Sequence, residues 1–196
     1  YCKKAKSKKE VCEYILVPGS IWPVKNQISF VRSIEADSAV INPFLVFAGK
    51  MNSKPYFFQL VDELKRLNIN YIFTNHLPRP KLANLAVNAT LAVIPMDTRF
   101  TNQLEGYPRL LGQMLIAGCN TVINWNVTVP DFYDQNCQLF PPIIRTDFSS
   151  CCQVEKMWSK VKSLNLTKRT LSKVNYNDFY LEYCSEALLK IFGNWP

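Results

Sequence analysis

The chain is 196 residues long, 48% hydrophobic, and carries a formal net charge of +8 at pH 7. That length suits one well-buried domain or two very small ones, and the apolar and aromatic content is that of a globular protein. No apolar run is long enough to span a bilayer, so no transmembrane helix is expected, and the positive surplus favours anionic partners.

Residues 1–12 hold Lys3, Lys4, Lys6, Lys8 and Lys9 and read as a basic tail or linker. A solvated run is the ordinary fate of such a tail, and contact with an anionic membrane surface is the alternative. A start at Tyr1 without a signal-peptide pattern is expected of a piece of a longer polypeptide. Residues 13–196 are expected to form one domain. Tyr14 to Val17 reads as a buried strand feeding a turn at Pro18-Gly19, after which Ile28, Val31 and Ile34 recur at helical spacing. Pro43 to Gly49 is a continuous apolar strand, as expected where a parallel sheet is covered on both faces. A helix with Leu60, Val61, Leu64 and Leu67 on one side follows, then a third strand over Asn70 to Thr74. Arg79 to Val87 reads as a short helix and Leu91 to Pro95 as a fourth strand. Strand alternating with helix at every step predicts βαβ units and an α/β fold built on a parallel sheet flanked by helices.

The loop Met96 to Leu104, M-D-T-R-F-T-N-Q-L, leaves the carboxyl end of that fourth strand, where open α/β sheets bind ligands. Asp97, Thr98, Arg99, Asn102 and Gln103 therefore belong to the candidate pocket by position. The loop leads into L-E-G-Y-P-R-L-L-G-Q-M-L-I-A-G, Leu104 to Gly118, a turn carrying Glu105 to the mouth of a helix. Pro108 suits the first helical position and Gly118 is a natural stop. The unpaired amides of such a helix start make an anion site, to which Arg109 adds a full charge. Beyond it, Thr121 to Ile123 and Gln138 to Ile144 read as further strands, and Val154 to Leu164 and Tyr176 to Phe192 as closing helices, about 152–192 in all.

Seven cysteines without a C-x-x-C pair, beside the single histidine His76, argue against a zinc site. Neither G-x-G-x-x-G nor a P-loop occurs, which weakens dinucleotide and NTPase readings. A Cys119–His76 nucleophilic pair has no sequence support. The sequons at Asn88, Asn126 and Asn165 are what chance yields in so Asn-rich a chain and do not settle the compartment.

The stretch Glu105-Gly106-Tyr107, followed by a helix that closes at Ala117-Gly118, resembles the nucleotide-sugar signature of the retaining GT-B glycosyltransferases of family four. The likeness extends over roughly Leu16 to Asp131, because the strand T-L-A-V-I-P, the polar loop and E-G stand in the family's order. It implies a Rossmann-like domain, one half of a GT-B architecture, that binds a donor such as a UDP-sugar. The reaction implied is sugar transfer to a carbohydrate or lipid-linked acceptor hydroxyl with retention, completed by an N-terminal acceptor domain.

By the same resemblance Lys25 grips the donor diphosphate, Ser20 stands where an arginine often helps it, and Glu105 serves catalysis by accepting hydrogen bonds from the sugar. The backbone of Gly106 and Tyr107 lies beside the donor, and His76 falls in a segment near the nucleobase. Gln113 replaces the expected second glutamate at the ribose, and Pro108 replaces a glycine. Arg109 is assigned to the diphosphate from charge and place alone. Plain structural roles stand beside these: a helix-end carboxylate for Glu105, an exposed helix residue for Gln113, a surface ion pair for Arg109 and a polar loop residue for His76. No cofactor and no metal are expected beyond the nucleotide-sugar substrate, and no nucleic acid, since basic-aromatic recognition motifs are missing. A cytoplasmic or membrane-peripheral setting is favoured, with the secretory lumen left open. The alternative is a non-catalytic nucleotide- or sugar-binding module on a degenerate glycosyltransferase fold.

Overall fold

The structure, a computed structural model, describes residues 14–35, 43–97, 109–129, 133 and 140–163. Six parallel strands form one sheet: β1 (Tyr14–Pro18), β2 (Phe44–Ala48), β3 (Tyr71–Phe73), β4 (Leu91–Ile94), β5 (Thr121–Asn124) and β6 (Ile143–Thr146). Their spatial order is β3-β2-β1-β4-β5-β6, which reverses direction between β1 and β4. The central strands β4 and β5 are buried along their whole length because helices cover both faces. This is the α/β, Rossmann-like parallel sheet that the alternation of elements predicts.

On one face lie α1 (Gln27–Glu35), α2 (Lys54–Arg66) and α5 (Cys151–Ser163), whose Phe30, Val31, Leu60, Leu64 and Trp158 pack against Val17, Phe47, Val93 and Val122. On the other lie α3 (Arg79–Asn88) and α4 (Arg109–Ile116), where Ala86, Leu111, Met114 and Leu115 meet Leu16, Val46, Ala92 and Ile123. Adjacent strand residues thus feed opposite cores, as the period of two requires. The end of α4 is set by Gly118, whose φ of 72° is the left-handed conformation glycine adopts freely.

Polar contacts fix how the helices sit. The Tyr56 hydroxyl of α2 accepts a hydrogen bond from the Ile28 amide in the first turn of α1, and burial pushes the phenol's pKa up. The Trp158 indole of α5 donates to the Ser33 carbonyl of α1 at 3.2 Å. Across the solvent side of α1 and α2, Arg32 pairs with Glu63 at 2.6 Å and Arg66 bridges Glu63 and Glu35.

Three boundaries differ from the sequence expectation. β6 begins at Ile143, later than Gln138, because Pro141 and Pro142 offer no amide to a ladder and the Thr121 amide already bonds the Pro142 carbonyl. β5 continues through the polar Asn124, which is paired in register with Thr146. α5 starts at Cys151, a turn earlier than Val154, because Ser149 and Ser150 fold back onto Asp147. The tail at 1–12 and the helix expected over 176–192 lie outside the described residues.

A Cβ on Gly49 would overlap the carbonyl group of Gly19, so Gly49→Ala is expected to lower the unfolding free energy in urea by about 2–3 kcal/mol. Hydrogen bonding from Arg66 lowers the pKa of Glu35, and hydrogen bonding from Arg32 lowers that of Glu63. Lowered carboxylate values stabilise the fold above the ordinary glutamate range and lose that effect as pH falls through them. The small stability deficit of Arg66→Ala should therefore shrink on acidification and in high salt, as followed by thermal unfolding.

Candidate functional site

The site is built where β1 and β2 leave the sheet. Gly19 follows β1 with φ of 120°, a conformation that a side chain would strain. Its amide donates to the Ala48 carbonyl at 2.9 Å, the Ile21 amide donates to the Lys50 carbonyl, and the Asn52 amide donates back to Ile21. The two exit loops therefore run side by side, with Gly49 against Gly19 and no side chain between them. Gln27, almost fully buried at the start of α1, donates from its side-chain amide to the Ser20 carbonyl at 2.8 Å and holds the first loop in place.

Beside these glycines opens a cleft of about 300 Å³. Gly19, Ser20, Gly49 and Lys50 line it from the strand ends; His76, Leu77, Arg79 and Leu82 from the start of α3; and Arg109, Leu110 and Gln113 from the start of α4. Lys50, Arg79 and Arg109 give it positive charge, and among the described lining residues there is no carboxylate. Neither α3 nor α4 has an acidic residue in its first turn, while Arg79, Lys81 and Arg109 stand there against the positive end of the dipole. Uncompensated, that arrangement is unfavourable, and an anion in the cleft relieves it.

Four residues singled out from the sequence, Ser20, His76, Arg109 and Gln113, come together here although they span 94 positions of the chain. Lys25 is not among the lining residues. It sits on a single 3-10 turn, Pro23–Lys25, with its ammonium 3.2 Å from the Met96 sulfur beyond β4. Asp97, expected in the pocket by position, is 1% exposed and accepts a hydrogen bond from the Asn126 side-chain amide at 2.7 Å. Its own amide donates to the Val24 carbonyl, so the loops after β1, β4 and β5 are tied together at the carboxyl edge. Glu105, Gly106 and Tyr107 lie outside the described residues, as do Pro108 and Thr98 to Gln103.

Lys50 and Arg79 are the cleft residues that sequence reasoning passed over. The available signals were local: Lys50 directly follows the glycine that ends an apolar strand, and Arg79 opens a helix after Pro78.

No protein-family profile and no curated protein sequence matches the chain. Solved structures do. AviGT4, a glycosyltransferase involved in avilamycin A biosynthesis, superposes with a TM-score of 0.59 at 13% identity, over 94% of this chain and 53% of its own. WaaG, a glycosyltransferase involved in lipopolysaccharide biosynthesis, gives 0.57 at 18% identity, over 91% and 42%. HepE from Anabaena, solved with UDP and glucose, gives 0.60 at 11% identity, over 95% and 50%. The chain thus spans about half the length of these proteins.

The loop tie at the carboxyl edge is testable by itself. Asn126→Ala removes a charge-assisted donor from the buried Asp97 carboxylate and should cost about 2 kcal/mol in urea unfolding.

In fold, the described structure is a Rossmann-like domain of the kind found in GT-B glycosyltransferases.

Proposed function

We propose that this chain is the donor-binding domain of a retaining glycosyltransferase, which holds a nucleotide-sugar while a second domain presents the acceptor hydroxyl. The observation that carries the proposal is the cationic cleft at the carboxyl ends of β1 and β2, beside the point where strand order reverses. Open α/β sheets bind their ligands at that place, and a nucleoside diphosphate supplies the anion the cleft calls for. Binding of UDP and glucose by HepE, a protein of the same fold, supports a nucleotide-sugar as the ligand class.

In this mechanism the protein's task is electrostatic. The bond from the anomeric carbon to the diphosphate oxygen breaks, charge grows on the departing phosphate, and fixed cations and helix-terminal amides stabilise it. Arg109 and the Ser20 backbone would take that role, with Lys25 placed at the neighbouring strand end. Glu105, four residues before Arg109 in the chain, is assigned to the sugar hydroxyls. Gln113 is assigned to the ribose, where an amide donates and accepts without charge.

The neutral Gln113 in the cleft also favours a second reading, a binding module that keeps the fold and has lost turnover. Release of nucleotide from a nucleotide-sugar by the complete polypeptide separates the two. Sustained release or transfer supports the enzyme, and tight binding without turnover supports the module.

The binding claim is checked by calorimetric titration of the chain with UDP, GDP and ADP. At least one should bind, and Arg109→Ala should weaken it by about tenfold or more, the loss of one charge-assisted contact. Binding that ignores Arg109, or no binding to any of the three, would overturn the assignment of the cleft.

A further inference from the structure

The buried side of α1 carries Phe30, Val31 and Ile34, and Ser33, whose hydroxyl donates to the Phe30 carbonyl of the same helix. Gln27 is as deeply covered, at 1% exposure, but it reaches out of the helix. Its side-chain nitrogen donates to the Ser20 carbonyl at 2.8 Å, while its oxygen Oε1 is buried without a hydrogen-bond partner among the described residues. A half-satisfied amide in a core costs stability that an apolar residue of similar size would keep. Packing therefore does not account for a glutamine here. The one contact its side-chain amide makes runs to a residue that lines the cleft.

That contact bears on how the loop after β1 meets an anion. The Gly19 and Ile21 amides donate to the Ala48 and Lys50 carbonyls, as alternate residues of a strand do toward one parallel neighbour. These bonds use the amides on either side of Ser20 and leave its own outside the ladder between the two loops. The Ser20 carbonyl oxygen carries partial negative charge and would repel a phosphate. Donation from Gln27 draws that oxygen to the start of α1 and fixes the backbone beside the Ser20 amide.

Resting on the anion-binding reading of the cleft, we propose that Gln27 is a positioning residue, which holds the Ser20 carbonyl against α1 so that the Ser20 amide is presented to the phosphates of the ligand. It touches no ligand itself. Its effect passes through one peptide group.

The test is calorimetric titration of the chain, of Gln27→Leu and of Gln27→Met with pyrophosphate, UDP, GDP and ADP, with melting curves and amide chemical shifts. The two replacements offer different apolar shapes and no donor. Each should weaken pyrophosphate, and every nucleotide that binds, by about tenfold. The melting temperature should stay level or rise, because the orphaned oxygen is gone. Saturating pyrophosphate should shift the Ser20 amide resonance of the unaltered chain, and shift it less in both variants. Unchanged affinity, an affinity loss that comes with a lowered melting temperature in both variants, or a Ser20 amide that pyrophosphate does not shift would overturn the positioning role while leaving the cleft an anion site. Failure of the unaltered chain to bind any of the four would instead remove the reading on which that role rests.

Discussion

The contact between Gly19 and Gly49 sets the shape of everything at the carboxyl edge. Two neighbouring strands leave the sheet with their backbones touching: a Cβ on Gly49 would overlap the Gly19 carbonyl, and the φ of 120° at Gly19 is one that glycine adopts freely. The hydrogen bonds from Gly19 to Ala48 and from Ile21 to Lys50 then carry the pairing of β1 and β2 past the last strand residues. At the two glycines the peptide surface carries no side chain, so a ligand can come close to the backbone there. The cleft, its flanking helices and the placement of Lys50 all follow from that bare floor.

Around this floor the chain departs from the rules that elsewhere stabilise it. α2 begins with a serine cap and ends with Lys65 and Arg66, in keeping with its dipole. α3 and α4 place arginine at the opposite, unfavourable end, and both arginines line the same cleft. Local rules broken together at one location indicate a site that something other than folding has shaped. The carboxylate of Asp97, by contrast, is enclosed and given a donor by Asn126.

Much of the fold is legible in the sequence, since β1, β2 and β4 are uninterrupted apolar runs and the helices between them keep one apolar face. The pair of prolines before Ile143 disguises the start of β6, because hydrophobicity continues through residues that cannot join a ladder. The cleft is harder to see. Its lining comes from four separate segments, and spacing along a chain does not reveal convergence across a sheet. Ser20, His76 and Gln113 stand out through likeness to a family pattern, and Arg109 through its charge at a helix start. Lys50 and Arg79, which that pattern does not mark, become visible only once the strand order places β2 and α3 beside β1. The position of Lys25 against Met96 depends on a tight turn, Pro23–Lys25, closed by Asn26 in the left-handed conformation.

The hydrogen bond from Trp158 to Ser33 joins residues 125 positions apart. Trp158, Met157 and Val154 complete the apolar layer over α1, whose Phe30 also meets the ring of Phe148 edge-on at 5.9 Å. During synthesis at roughly 5–20 residues per second, α1 would emerge on the order of ten seconds before the residues that cover it. For that interval one face of the nascent half-sheet stays exposed to water and to chaperones. The layer over α1 is therefore completed late, and a break in translation between β6 and α5 would release a chain whose first helix keeps α2 but lacks the cover of Trp158.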